Sequence, residues 1–214
     1  MVAFSTSDSI LRKSSRAPCA QIRAARFSSL ALRTLLALLV LLLHPLALIT
    51  ADAQSDSSEY QLKAAFIFHF AQLVDWPAEA VGPGNRPLIL CTAGEDTPSG
   101  VLEATVQGKQ IGSHPLEVRH LQEKDSSSGC HLLFIVGRDK RRVPAILAGL
   151  NNAPILTVGE SDDFVQQGGM IGFCLQESKI RFDINLKVAQ RANLRISSRL
   201  LLLAKTVVGD GRQG

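Results

Sequence analysis

Aromatic residues are scarce in this sequence, and the common catalytic motifs are missing. Phe, Trp and Tyr together make up 5% of the 214 residues, with one Trp and one Tyr. The sequence has no Gly-x-Gly-x-x-Gly after a strand, no phosphate loop ending in Gly-Lys-Ser/Thr, no His-Glu-x-x-His and no Gly-x-Ser-x-Gly. These absences predict that the protein is not an enzyme and uses no cofactor.

Long apolar runs are also absent. The longest unbroken run, 35–43, has nine residues, and even 34–49 is shorter than the roughly 20 residues that span a bilayer core. The first 53 residues follow the order of a secretory signal: a basic stretch, the apolar run, and the small-residue site Ala51-Asp52-Ala53. We therefore predict a signal peptide over 1–53, cleaved near Ala53, and a soluble exported domain over 54–214. A retained membrane anchor is the alternative.

The positive charge of the chain lies in its leader. The formal charge is +4, but residues 1–53 hold six Lys/Arg against two acids, which leaves 17 basic and 17 acidic side chains in 54–214. A neutral exported domain does not favour nucleic acid as a partner, and its overall balance gives no indication of acidic lipid.

The fold class follows from apolar runs that alternate with helical segments. Three short runs bounded by turn residues, 87–92, 131–136 and 154–158, are typical of strands buried on both faces. Segments 170–175 and 179–184 predict an antiparallel hairpin. We expect an α/β fold: a three-layer sandwich with a mixed, mainly parallel sheet and a C-terminal antiparallel hairpin.

The helices are predicted from capping signals and turn residues. The first begins at Ser58, where a capping box reaches Gln61, and ends at Pro77. Its polar residues form one narrow stripe, with Lys63 slightly aside. The remaining helices are expected at 100–106, 144–150, 162–167, 186–192 and 198–208.

Cysteine and histidine spacing argues for a disulfide and against a metal site. Cys91 ends the first buried strand and Cys130 precedes the second, so their thiols can meet if these strands are neighbours. Cys174, in the hairpin, is expected to be a small buried apolar side chain. The exported part has no Cys-x-x-Cys and no paired histidines, which predicts no bound metal.

The densest charge run, 138–142, directly follows a buried strand and precedes a helix. Such strand ends carry ligand sites in α/β folds. A solvated loop is one interpretation, and a surface for an acidic partner or anionic headgroups is the other. We expect the exposed recognition surface to contain Arg138, Lys140, Arg141 and Arg142, with Glu59 and Lys63 at the start of the first helix.

Several segments together resemble the YfiR-like family, the domain of unknown function numbered 4154. They are Glu59-Tyr60-Gln61-Leu62-Lys63-Ala64-Ala65-Phe66, Val74-Asp75-Trp76-Pro77, Cys130-His131-Leu132-Leu133-Phe134-Ile135, Gly168-Gly169-Met170-Ile171 and Ile180-Arg181-Phe182-Asp183-Ile184. The resemblance extends over essentially the whole exported part of the chain.

This resemblance implies a periplasmic repressor without chemistry of its own. Such a protein holds an inner-membrane diguanylate cyclase inactive through the cyclase's periplasmic segment, controls cyclic-di-GMP signalling, and is sequestered by an outer-membrane lipoprotein. The resemblance also matches Cys91 and Cys130 to a family disulfide, whereas a second family bridge would need a partner for Cys174. A periplasmic small-ligand module that feeds a membrane sensor, such as a histidine kinase, is the alternative. A homodimer is left open.

Overall fold

The computed structural model describes residues 33–34, 50–94, 100–137 and 141–209 of the chain. The chain divides into two compact units, Met1–Thr50 and Ala51–Gly214, and the second contains the sheet and its helices. Most of the predicted signal peptide lies outside the described residues. Among the described helices, none is long and apolar enough to cross a membrane.

The described part of the chain alternates short helices with strands. The helices are α1 (Thr50–Gln72), α2 (Ala78–Val81), α3 (Val101–Val106), α4 (Val143–Gly149), α5 (Leu186–Arg191) and α6 (Ser198–Leu203). The strands are β1 (Val74–Asp75), β2 (Leu88–Ala93), β3 (Gln110–Ile111), β4 (His114–Leu121), β5 (Leu132–Ile135), β6 (Leu156–Gly159), β7 (Ile171–Gln176), β8 (Lys179–Asn185), β9 (Arg195–Ile196) and β10 (Thr206–Val208).

An eight-stranded mixed sheet organises the domain, in the order β10-β8-β7-β6-β5-β2-β4-β3. Strands β4, β2, β5, β6 and β7 run parallel, and the buried apolar sequences of β2, β5 and β6 predict this arrangement for those three strands. The β7–β8 hairpin is antiparallel, with Glu177 and Ser178 at positive φ in its two-residue turn. The predicted α/β class with a mainly parallel sheet and a C-terminal hairpin is confirmed.

Apolar side chains on both faces of the sheet form two core clusters. The larger one packs α1 against β7 and β8, where the rings of Phe70 and Phe182 lie 4.9 Å apart. The smaller one packs Val143 of α4 against Leu133 of β5. Leu132 and Leu133 are both fully buried although they are adjacent, because a central strand covered on both faces buries successive side chains.

The first helix differs from its prediction at both ends. It begins at Thr50, eight residues before the predicted start, because residues such as Ala51 and Ala53 are compatible with helix upstream of the capping pattern. It ends at Gln72 because Val74–Asp75 pairs with β9 in a separate two-stranded sheet.

Two predicted helices are wrong. Residues 162–167 form hydrogen-bonded turns, with Gln167 N donating to Asp163 O. The helix predicted over 198–208 ends at Leu203, and β10 follows it. The β-branched residues of β10 extend the sheet beside β8, with Val207 opposite Ile184.

In the pair Gly168-Gly169, Gly168 has a positive φ of 98° in the turn before the hairpin, whereas Gly169 serves packing. The ring of Phe164, which is fully buried, lies against Gly169, where a Cβ atom would come within 2.1 Å of Cε1. Gly159 at the end of β6 contacts the same ring, where a Cβ would come within 2.2 Å. A side chain at either position would occupy space that the ring already fills.

Candidate functional site

Lys63 is buried, contrary to its predicted place on an exposed surface. Its Nζ donates to Glu160 Oε1 at 2.7 Å and pairs with Glu59 Oε1 at 2.6 Å, and it lies 5.0 Å from the centre of the Tyr60 ring. Burial alone lowers the pKa of Lys63, but the hydrogen bonds from its ammonium to Glu160 and Glu59 raise that pKa above its usual value. Lys63 is therefore charged and paired inside the protein.

Glu160 links the first helix to the end of a central strand. It directly follows β6 and is 7% exposed. One carboxylate oxygen binds Lys63, and the other accepts a hydrogen bond from Gly137 N at 2.8 Å. Gly137 precedes the predicted basic loop, so Glu160 connects the two parts of the predicted recognition surface.

Sequence reasoning missed Glu160. Its sequence signal is a single acid placed directly after a buried strand, which is too common to identify a partner by itself. The position of Lys63 away from the polar stripe of its helix is a second signal, because it indicates that this side chain does not share the solvent-exposed environment of the stripe. Neither signal shows that these two residues meet.

The basic loop is described in part. Arg138 and Lys140 lie outside the described residues. Arg141 is exposed, whereas Arg142 is half-buried and its Nη2 lies 3.3 Å from Glu123 Oε1, across the mouth of a surface crevice. Arg141 is the more exposed of the two arginines, so we use it as the probe of recognition.

This crevice lies at the carboxyl ends of the central parallel strands. Its volume is about 1240 Å³, and it is lined by Ala93 at the end of β2, Val136 after β5, His120 of β4, and both arginines. The five parallel strands follow the order β4-β2-β5-β6-β7, so the direction of winding changes between β2 and β5. Doubly wound folds bind ligands at this position.

Two lining residues of the crevice, Thr92 and His120, form a hydrogen-bonded network with Glu103. Thr92 Oγ1 lies 2.7 Å from His120 Nδ1, and His120 Nε2 contacts Glu103 Oε1. Partial burial raises the pKa of Glu103, but hydrogen bonds from its own backbone N–H and from His120 lower that pKa overall. The two contacts of His120 hold its ring at the wall of the crevice. Thr92 is 2% exposed, so its hydroxyl is not accessible as a nucleophile.

A smaller cavity of about 280 Å³ adjoins the buried ion pair. Lys63, Glu160, Cys174 and Lys205 are among its lining residues. Cys174 is half-buried rather than buried as predicted, and its Sγ lies 3.9 Å from Lys205 Nζ. Burial and the nearby Asp183 carboxylate raise the pKa of this thiol, which disfavours the reactive thiolate.

The neighbouring strands β2 and β5 are joined by the Cys91–Cys130 disulfide. The two Cα atoms lie 5.8 Å apart, and the bridge closes a separation of 39 residues. Within the described part of the chain, no group of three or more His, Cys, Asp or Glu side chains is arranged to hold a metal ion.

His131 fixes the start of these strands to helix α2. Its Nδ1 accepts a hydrogen bond from Ile89 N at 3.0 Å, and its Nε2 donates to Ala80 O at 3.1 Å. Burial lowers the pKa of His131, and this pair of bonds requires the neutral ring. His131 is therefore a structural residue.

Comparison with known proteins finds one family over most of the domain. A family model described as YfiR/HmsC-like (DUF4154) matches residues 60–205. The match begins within α1 and ends just before β10, so it includes Lys63, Glu160 and both disulfide cysteines. No curated protein matches the chain.

Proposed function

Because the chain belongs to the YfiR/HmsC-like family (DUF4154), we propose that it binds the periplasmic segment of an inner-membrane diguanylate cyclase and represses that cyclase. The family is periplasmic, regulatory and non-catalytic. The protein would thereby control cyclic-di-GMP signalling. An outer-membrane lipoprotein that sequesters it would relieve the repression.

The observation that carries this proposal is the family match over residues 60–205. The proposed contact surface contains Glu59 of α1 and the loop with Arg138, Lys140, Arg141 and Arg142. Lys63 supports it from inside by holding Glu59 and Glu160. Exposed charges at such a surface mainly steer association.

The cyclase experiment tests repression directly. Membranes that contain the cyclase are assayed for cyclic-di-GMP synthesis while the purified regulator is added. Synthesis should fall in a saturable way, and Arg141→Glu should shift the titration to higher concentrations. Lys124→Glu is the matched control because Lys124 is also exposed on a loop. Unchanged synthesis at every concentration of the regulator would contradict the proposal.

We also propose that residues 1–53 are removed during export and that the mature domain begins near Gln54. The basis is the order of basic residues, apolar run and Ala51-Asp52-Ala53 in the sequence. The intact mass of protein released by osmotic shock measures the start directly. A full-length species retained in membranes would show that the leader is an anchor.

The crevice between β2 and β5 favours a second candidate function, a small-ligand module that feeds a membrane sensor. Its position matches the ligand sites of doubly wound folds, and His120 is held at its wall. Native mass spectrometry of protein purified from the periplasmic fraction tests this function. A bound small molecule that is lost in a His120→Phe variant would support it, and a ligand-free mass would count against it.

A further inference from the structure

The neutral total of residues 54–214 conceals a separation of charge. Residues 54–178 hold 9 Lys/Arg and 15 Asp/Glu, whereas residues 179–209 hold seven Lys/Arg and a single acid, Asp183. All seven basic side chains are exposed. Among the described residues, none of the seven forms an ion pair with a carboxylate. Their positive charge is therefore not neutralised by a carboxylate in direct contact within this part of the chain.

Four of these residues lie along one edge of the sheet, and we call them the basic edge: Lys179, Arg181, Lys187 and Lys205. Arg181 is opposite Cys174 in the hairpin, and Lys205 Nζ lies 3.9 Å from the Cys174 sulfur. Lys187 meets the end of β10, because a Cβ atom at Gly209 would come within 2.8 Å of its Cβ. The basic edge thus has two residues in β8, Lys205 directly before β10 and Lys187 in α5.

Exposed apolar side chains lie in the same segment. Leu202 is 85% exposed, Leu203 is 59% exposed, and Val208 is 41% exposed. Leu202 and Leu203 end α6 directly before Lys205, and Val208 lies in β10 opposite Asn185. These side chains add little to the core, so their apolar surface is available to an external partner.

We propose that the basic edge, together with Leu202, Leu203 and Val208, docks onto the anionic phospholipid surface of the inner membrane on its periplasmic side. Exposed cations, with Leu202 and Leu203 three and two residues before Lys205 in the chain, match such a surface, because the cations attract headgroup phosphates while the leucines enter the acyl boundary. The positive charge of the basic edge complements anionic headgroups, and this favours an anionic membrane over a neutral one. Docking would hold the protein beside membrane partners, which goes beyond the function proposed above.

Vesicle co-sedimentation with protein purified from the periplasmic fraction tests this docking. The protein should bind phosphatidylglycerol–phosphatidylcholine vesicles at low salt and should not bind pure phosphatidylcholine vesicles. Arg181→Gln with Lys205→Gln should weaken binding by about fivefold for each charge removed. Leu202→Ser with Leu203→Ser should weaken it at both low and high salt, since the apolar contribution is not screened.

Arg86→Gln with Lys124→Gln is the control, because these bases are exposed outside the basic edge. The control should bind vesicles like the unchanged protein, and melting temperatures verify that every variant is folded. Absence of binding to anionic vesicles, or an equal loss in the control, overturns the proposal. If the variants of the basic edge still bind anionic vesicles but no longer bind a protein partner, the proposal is also overturned. That result would identify an acidic protein surface as the occupant of the basic edge. Because the vesicles contain no cyclase, the result of this experiment does not depend on whether the protein represses a cyclase, and the repression assay tests that function separately.

Discussion

The carboxylate of Glu160 binds the buried ammonium of Lys63 at 2.7 Å, although 97 residues separate the two in the chain. The side chains are only 8% and 5% exposed for Lys63 and Glu160 respectively. Removing charges from water at such positions is costly, so each group depends on the other. The pair ties the first helix to the carboxyl end of β6, next to the proposed recognition surface.

Lys63→Met should therefore destabilise the protein strongly. It leaves the Glu160 carboxylate buried with Gly137 N as its remaining partner, and breaking one side of a buried pair costs about 3–5 kcal/mol. The double variant Lys63→Met with Glu160→Gln should recover part of this loss. Urea unfolding measures both, and Glu123→Gln at the more exposed Arg142 pair should cost about 1 kcal/mol or less. A near-neutral Lys63→Met would contradict the role of the pair.

Stability should fall on mild acidification because of His131. Burial lowers the pKa of His131 in the folded state below the ordinary histidine value, so the unfolded chain binds more protons as the pH falls through that ordinary value. The contribution of His131 to the free energy of unfolding is fully present above the pKa of this residue in the unfolded chain. It is lost as the pH falls toward the lower pKa of the folded state. Melting temperatures between about pH 7 and pH 5 should show this slope.

His131→Gln should reduce that slope, and it should also lower stability at neutral pH by about 1–3 kcal/mol if Ile89 N loses its acceptor. His69→Gln is the control, since His69 is exposed on α1. An unchanged slope in the His131 variant would show that other groups cause the acid sensitivity.

Replacing the disulfide cysteines should destabilise the fold without abolishing the sheet pairing. Cys91→Ala with Cys130→Ala should cost about 2–4 kcal/mol, because the bridge restricts a 39-residue segment of the unfolded chain. Non-reducing peptide mapping should identify this linked pair. Cys174→Ala should keep it, whereas two free thiols at Cys91 and Cys130 in exported protein would refute the bridge.

Gly169→Ala should be destabilising because its new methyl group meets the Phe164 ring. Overpacking of this kind costs about 1–3 kcal/mol. Adding Phe164→Leu should relieve part of the clash, which a double-mutant cycle measures as coupling. Gly149→Ala is the matched control, since a Cβ there meets nothing within 4 Å. Equal effects at both glycines would argue against the packing explanation.

Arg141→Glu should leave the melting temperature nearly unchanged and weaken binding to the cyclase's periplasmic segment. The effect should be largest at low ionic strength, because a charge at the rim acts mainly on association. Association rates measured over a salt series, with Lys124→Glu as control, check this. Binding with unaltered affinity and salt dependence would identify the loop as a solvated surface.

Local sequence patterns predict the central buried strands, and they show that Cys91 and Cys130 can pair if the strands beside them are neighbours. Continuous apolar runs such as Leu132–Ile135 have few alternatives to a strand covered on both faces, and Cys91 lies within one such strand whereas Cys130 precedes another. The turn before Lys179 likewise fixes the hairpin. These features depend on local patterns, in which residues close in the chain determine the outcome.

Contacts across the folded domain determine which charges pair and where the short strands lie. The pairing of Lys63 with Glu160, the addition of β10 beside β8, and the exposure of Leu202 all depend on contacts between distant segments. Total charge could not reveal the basic edge, since acids elsewhere in the domain cancel it in the sum. A sequence pattern records periodicity along the chain, whereas burial and electrostatic pairing depend on distances across the folded molecule.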